Sequence, residues 1–231
     1  MHADPAHWTV IVTGGSSGLG AAVADNLDAA GATPVVLDRR PPAEGRAFEQ
    51  VDLADSKDAE EAVRRVAESY GGIDAVVTCA GIDVPGALDQ VPTETWERIV
   101  AVNLLGTAAV VRAALPSLEA VGGRVVTVAS TLGHRVFPDA TAYCASKFGV
   151  VGFTRALAAE MKGRVGVTLL TPGGMHTAFF DEREEQYRPG PDARLCSPEA
   201  VAAAAVFALS QPDGCDIKEL VVAASTETSW P

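Results

Sequence analysis

Two side chains able to handle a proton stand close together in the stretch TAYCASK, residues 141–147. Tyr143 and Lys147 are four positions apart, and on a helix such residues lie one above the other on the same face. A free phenol ionises near pH ~10, and a cation beside it favours the phenolate. The polar edge of an amphipathic helix produces the same spacing with no chemistry attached. The residues around the pair have to decide between these readings.

A second cluster lies near the start. TGGSSGLG (13–20) sets Gly14, Gly18 and Gly20 between an apolar run and a helical pattern. There a strand must turn tightly into a helix whose first amides attract a pyrophosphate. Glycine suits the turn where φ is positive or where a side chain would block a close backbone approach. The spacing is G-x-x-x-G-x-G, not the G-x-G-x-x-G form. Asp38 follows 18 positions after Gly20, at the end of the next apolar run. A carboxylate there accepts hydrogen bonds from ribose 2′- and 3′-hydroxyls and repels a 2′-phosphate, which favours NAD over NADP. Arg39 and Arg40 argue the other way, because a guanidinium pairs with that phosphate. Ser16 and Ser17 offer no basic partner within the turn.

These residues need a scaffold, and the hydrophobic pattern describes one. Short apolar runs at 8–13, 34–38, 47–53, 73–81, 123–130, 164–174 and 219–225 alternate with helical patterns at 21–31, 55–71, 93–118, 142–163 and 197–211. Gly31 is placed to stop the first helix, Ser197 to cap the last with Pro198 behind it, and Pro116 to sit near the end of the third. Strands that are apolar throughout indicate a buried parallel sheet covered on both faces. The expectation is one doubly wound α/β domain of about seven strands spanning residues 1–231. The polar interval 176–196, HTAFFDEREEQYRPGPDARLC, reads as a mobile excursion, either a solvated loop or a substrate lid.

Composition narrows the classes further. Lys and Arg number 18 against 30 Asp and Glu, a net charge of 18 − 30 = −12, which disfavours nucleic acid as a partner. Cys79, Cys144, Cys196 and Cys215 are dispersed, with no metal-ligand spacing, so no metal site is expected and a reducing compartment is. The start lacks a basic region followed by an apolar core, so no signal peptide is expected. VAAAAVFAL (201–209) is about half the ~20 residues of a membrane helix. A soluble, cytoplasmic protein with no membrane partner is expected.

Several further motifs fall in a recognisable order: VDLAD (51–55), CAG (79–81), Asn103 in AVNLLG, Ser130 in VTVAS, YCASK and TPGG (171–174). With TGGSSGLG and Asp38, the chain from about residue 8 to the last strand resembles the short-chain dehydrogenases/reductases, which have a Rossmann-type fold. The resemblance implies an NAD(P)-dependent oxidoreductase that interconverts a secondary alcohol and a ketone. Tyr143 would be the acid/base at the substrate oxygen. Lys147 would lower the Tyr143 pKa and grip the nicotinamide ribose. Ser130 would donate to the carbonyl oxygen and steady its developing charge, and Asn103 would hold a water in the proton relay. Leu19 would lie beside the pyrophosphate with Ser16 and Ser17 in the same turn, while Asp52 and Leu53 would flank the adenine. Cys79, Ala80 and Gly81 would let the backbone pass the cofactor. Pro172, Gly173 and Thr177 would sit near the nicotinamide, with Thr177 bonding its carboxamide.

One departure is plain: the family shows N-N-A-G where this chain has T-C-A-G, with Thr78 and Cys79. Cysteine is too weak a donor and acceptor to replace the sheet-steadying bonds of asparagine, so a small structural adjustment is expected. Candidates for the substrate wall are Leu132, His134, Phe137, Met175, His176, Phe179 and Phe180. Mostly apolar, they point to an apolar ketone or acyl substrate. A 3-oxoacyl-type ketoreductase using NADPH is the main alternative, and a non-catalytic dinucleotide-binding regulator is the alternative from another class. Helices 93–115 and 142–161 are rich in Ala and Val, and in the family the equivalent helices pair subunits, which implies a homodimer or homotetramer.

Overall fold

The β-branched runs TVIVT, AVVT and RVVTV become β1 (Thr9–Thr13), β4 (Ala75–Thr78) and β5 (Arg124–Val128), every residue of them buried. β2 (Thr33–Asp38) and β3 (Ala47–Gln50) extend the sheet on one side, β6 (Gly166–Pro172) and β7 (Glu219–Val222) on the other. The order is β3-β2-β1-β4-β5-β6-β7, parallel throughout. The computed structural model describes residues 4–42 and 45–230. Residues 1–3, 43, 44 and 231 of the expected domain lie outside the described residues.

Strands of this kind must be covered on both faces, and they are. Helices α1 (Gly18–Ala29) and α6 (Pro198–Leu209) pack Leu27 and Leu209 against Val10 and Val12 on one face. On the other, α2 (Ser56–Tyr70), α4 (Thr107–Val121) and α5 (Thr141–Glu160) place Val63, Val110 and Leu157 in the cluster that holds Ile11 and Leu37. The doubly wound seven-stranded sheet is thus as expected. Local signals mark the ends as well: Asp55 caps α2 by accepting from Lys57 N at 2.9 Å, and Gly71 closes it at φ +77°.

The expected helix over 93–118 differs in two ways. It runs as α3 (Thr93–Val100), a π-helical turn (Ala101–Gly106) and α4. Pro116 also lies inside α4, which continues to Val121. Ala114 and Leu118, both fully buried, pin this stretch to the sheet, and their burial offsets the backbone bond that proline forfeits. By length and composition the run Thr93–Val121 could cross a membrane, but half of its most apolar 18-residue window is buried inside the fold.

Because the chain crosses from β3 to β4 on the opposite side of β1, the carboxyl ends of β1 and β4 frame a crevice. Gly14, Asp38, Ala80, Ser130 and Gly173 all follow or end strands at that edge.

Candidate active site

The glycine turn is built by close contact. Gly14 has φ +68°, and a Cβ on it would lie 2.8 Å from the Ala80 Cα. A Cβ on Gly20 would lie 2.3 Å from the Gly14 carbonyl oxygen. No other residue lets the β1 turn, the start of α1 and the loop after β4 approach this closely. Ala80 N also donates to Thr13 Oγ1 at 3.1 Å, tying that loop to the end of β1. Ser17 precedes α1 in an extended conformation and makes no side-chain cap.

Asp38 is drawn into the turn. Its Oδ2 accepts from Ser16 N at 3.1 Å and its Oδ1 from Arg40 N at 3.2 Å. Arg39 leans the other way, its Nε 3.9 Å from Asp52 Oδ2. Asp52 in turn takes both oxygens to Arg98 Nη2, at 3.1 and 2.8 Å. Burial alone would raise the Asp52 carboxyl, but the Arg98 bond, the Ala54 amide and the charges of Arg98 and Arg39 hold it below its usual value. The Leu53 side chain is buried in the core against Gly106. An apolar side chain beside the α4 groove gains more from burial than from lining an open cleft.

Asn103 sits in the π-helical turn, fully buried. Its Nδ2 donates to Ile82 O at 2.9 Å and Ser146 Oγ at 3.0 Å, and its Oδ1 accepts from Ile82 N at 2.8 Å. Ser146 Oγ donates to Tyr143 O at 2.8 Å. The asparagine thereby locks the loop after β4 to the helix carrying Tyr143 and Lys147. Ser130 follows β5, and its Oγ accepts from Leu132 N at 3.2 Å, capping the short turn Thr131–Gly133. The hydroxyl hydrogen remains for another acceptor.

Tyr143 and Lys147 share the face that their spacing predicts, with Nζ 5.7 Å from the ring centre. The electrostatics differ from expectation. Burial pushes the Tyr143 phenol up to about 12, opposed first by the Ser130 hydroxyl and then by Arg183, while Asp83 and Cys144 push the same way as burial. The Lys147 ammonium donates to Val128 O at 3.0 Å, and its own burial lowers its pKa to about 8, with Cys79 acting weakly against that. A desolvated ammonium loses its proton more readily and so lends less positive charge to its neighbour.

Cys79 lies beside Lys147, and burial pushes its thiol up to about 12, which disfavours the thiolate. The neighbouring Thr78 hydroxyl is buried without a hydrogen-bond partner. All four cysteines are unpaired.

The segment after β6 is ordered around anchors. Cys196 N donates to Gly174 O and His176 N to Cys196 O, joining the two ends of the excursion. Thr177 approaches the glycine turn at Gly18 and caps the short turn Ala178–Phe180. Phe179 lies 5.9 Å from the Tyr143 ring and stacks edge-on with Phe180 at 5.5 Å. A cleft of about 700 Å³ opens within the segment, lined by Met175, His176, Thr177, Phe180 and Leu195 among others; Tyr143 and Ser130 are not part of its lining.

The remaining substrate candidates separate. Leu132 follows Ser130 and is half-buried, whereas Phe137 is 50% exposed. His134 is turned toward structure, its Nε2 3.2 Å from Thr171 Oγ1 and its ring edge-on to Trp230 at 5.3 Å. That contact belongs to the residues beyond β7. Glu227 Oε2 accepts from Gly174 N at 3.0 Å, and Ser229 Oγ donates to Thr131 Oγ1 at 2.7 Å. The last residues thus brace the loops after β5 and β6. Asp83 and Arg183, which meet beside Phe179, were missed. The signals were an acid directly after CAGI and an arginine three residues beyond a Phe-Phe pair.

A parallel doubly wound sheet with its glycine turn, strand-end acid and Tyr–Lys helix at one crevice defines the class of Rossmann-type oxidoreductases. The family described as short chain dehydrogenase matches residues 8–188. An L-fucose dehydrogenase of Mus musculus is 32% identical over 96% of this chain and 89% of its own. An uncharacterized oxidoreductase of Staphylococcus saprophyticus is 31% identical over 92% and 95% respectively. The solved 3-ketoacyl-(acyl-carrier-protein) reductase of Brucella melitensis superimposes with a TM-score of 0.85 at 28% identity, covering 95% of this chain and 98% of that one. The chain belongs to the short-chain dehydrogenase/reductase family, oxidoreductases acting on CH–OH groups.

The buried ammonium gives a stability test. The folded Lys147 pKa lies below its unfolded value of 10.5, so the folded state binds fewer protons between about pH 8 and 10.5 and gains stability as pH rises through that window. Removing the amine in Lys147→Met removes that gain. Urea unfolding is expected to show the variant's stability relative to wild type highest at pH 7 and falling by on the order of a few kcal/mol by pH 10.

Proposed function

We propose that the protein interconverts a secondary alcohol and a ketone with a nicotinamide dinucleotide, Tyr143 exchanging the proton with the substrate oxygen. The observation that carries this reading is the placement of Ser130, Tyr143 and Lys147 together at the carboxyl edge of β5 and on α5, beside the glycine turn. The residues present fit a dinucleotide: Gly14 and Gly20 leave no side chain at the turn, the first amides of α1 follow it, and Asp38 waits at the end of β2. When bound, the nicotinamide accepts or supplies the hydride. Ser130 orients the carbonyl oxygen and stabilises its charge, and Lys147 holds the ribose side of the site and closes the proton path toward Asn103.

Support for NAD comes from Asp38, whose carboxylate ends β2 and is fixed by Ser16 N and Arg40 N, because a carboxylate there repels a 2′-phosphate. The Brucella reductase was solved with NADH. The same relative supports a second reading, a 3-oxoacyl-type ketoreductase, which fits the aromatic wall of Phe179 and Phe180. Four unpaired cysteines suit a reducing compartment, and we place the protein in the cytoplasm. Leu105 beside α4, Phe148 on α5 and Phe207 on α6 are large apolar side chains about half exposed, which supports pairing of subunits through these helices.

Tyr143→Phe is expected to lower kcat by roughly 10²–10⁴-fold on an alcohol and ketone panel, with dinucleotide binding by fluorescence retained. Equal turnover by both proteins would sink the mechanism. Asp38→Ala is expected to shift the kcat/KM ratio toward NADP by about tenfold, read with both dinucleotides on one substrate. Sedimentation of the native protein is expected to give a multiple of 23.8 kDa; a monomer alone would refute the assembly.

A further inference from the structure

The segment after β6 brings one charge into an otherwise aromatic wall. Arg183 Nη2 donates to Asp83 Oδ2 at 2.8 Å, and the two side chains are only 13% and 5% exposed. The guanidinium carbon lies 4.7 Å from the Phe179 ring centre and 4.8 Å from that of Phe180. Phe179 in turn packs on Tyr143. Both charges are felt at the Tyr143 phenol, in opposite directions, so the pair stands at the reacting end of the crevice.

The pair is incomplete. Asp83 Oδ1 and Arg183 Nε are both buried and neither has a hydrogen-bond partner. A buried polar atom left unpaired costs about 1–3 kcal/mol, more when it is charged. A tie whose only task was to hold the segment down would be best made as a two-bond fork, which satisfies both oxygens at once. Such mechanical ties exist elsewhere, in Tyr187 Oη to Asp139 Oδ2 at 3.1 Å and in the backbone bonds joining Gly174, His176 and Cys196. The Val84 amide also faces the Asp83 carboxylate, yet one buried acceptor, Asp83 Oδ1, and one buried donor, Arg183 Nε, stay without a partner.

A carboxylate oxygen only accepts and Nε–H only donates. A hydroxyl group does both. An anionic group would meet the charge of Asp83 and a cationic one that of Arg183, whereas a neutral hydroxyl opposes neither. We propose that Asp83 and Arg183 form a substrate-recognition pair that binds a second hydroxyl, away from the reacting carbon, of a neutral hydroxylated alcohol or ketone. The aromatic faces of Phe179 and Phe180 then cover the carbon framework of the same molecule. This inference rests on the oxidoreductase reading and narrows the apolar substrate expected from the sequence.

The test compares substrates that differ by one hydroxyl: trans-cyclohexane-1,2-diol against cyclohexanol, and an aldohexose against its monodeoxy forms. Wild type is expected to favour the hydroxylated member in kcat/KM by tenfold or more, because a site built around a hydroxyl leaves its own groups unpaired with the analogue lacking it. Arg183→Met and the near-isosteric Asp83→Asn are each expected to bring that ratio to within about threefold of unity, the loss falling on the hydroxylated member. Circular dichroism and melting confirm folding, and Asp83→Asn carries the test if Arg183→Met does not fold. A wild-type ratio near one, or a ratio that survives in a folded variant, overturns the assignment and leaves the two atoms as a water site. Absence of turnover on every member with NAD and with NADP defeats the oxidoreductase reading, and the pair's role with it.

Discussion

A single buried amide holds the candidate site in register. Asn103 makes three hydrogen bonds from a fully buried position, two to the backbone of Ile82 and one to Ser146. Ser146 passes the connection on to the backbone of Tyr143. The loop that carries Gly81 and Asp83, the π-helical turn and the helix bearing Tyr143 and Lys147 are therefore one unit. Removing the amide would strand buried polar groups on two separate segments, which is why such a network specifies one arrangement. The π-helical geometry is what turns Asn103 inward, and an insertion of this kind is frequent where a helix serves a site.

Around this unit the charges are balanced more finely than a tyrosine–lysine pair suggests. Burial disfavours ionisation of the phenol and protonation of the amine alike. Ser130 and Arg183 favour the phenolate, and Asp83 opposes it. The proton held by Tyr143 thus responds to a residue from the segment after β6 as well as to those on α5.

The two walls of the crevice both come from the last sixty residues, on either side of α6 and β7. One is the excursion after β6, held by Arg183 on Asp83 and Tyr187 on Asp139. The other is the terminus, where Glu227, Ser229 and Trp230 brace Gly174, Thr131 and His134. His134 packs on the terminus, Met175 both packs on the α1–α6 face and lines the cleft after β6, and Phe179 is the substrate candidate that meets Tyr143.

Much of the protein was legible in its sequence. The β-branched runs, the glycine turn, the acid ending β2 and the i,i+4 spacing of Tyr143 and Lys147 are local patterns, and local patterns set strands, turns and helix faces directly. Their order along the chain was enough for the doubly wound sheet, because parallel strands with short connections admit few arrangements. The rest depended on which distant residues meet. Asp83 and Arg183 are 100 positions apart, Ser229 and Thr131 are 98, and nothing in either neighbourhood names the partner. Leu53 turned into the core and Pro116 stayed within its helix because burial against neighbouring elements outweighed local preference. The sequence by itself determined the sheet, the turn and the facing pair Tyr143–Lys147. Only the tertiary structure decided the proton affinities of that pair and the wall that confronts it, since both depend on desolvation and on charges brought in by remote segments.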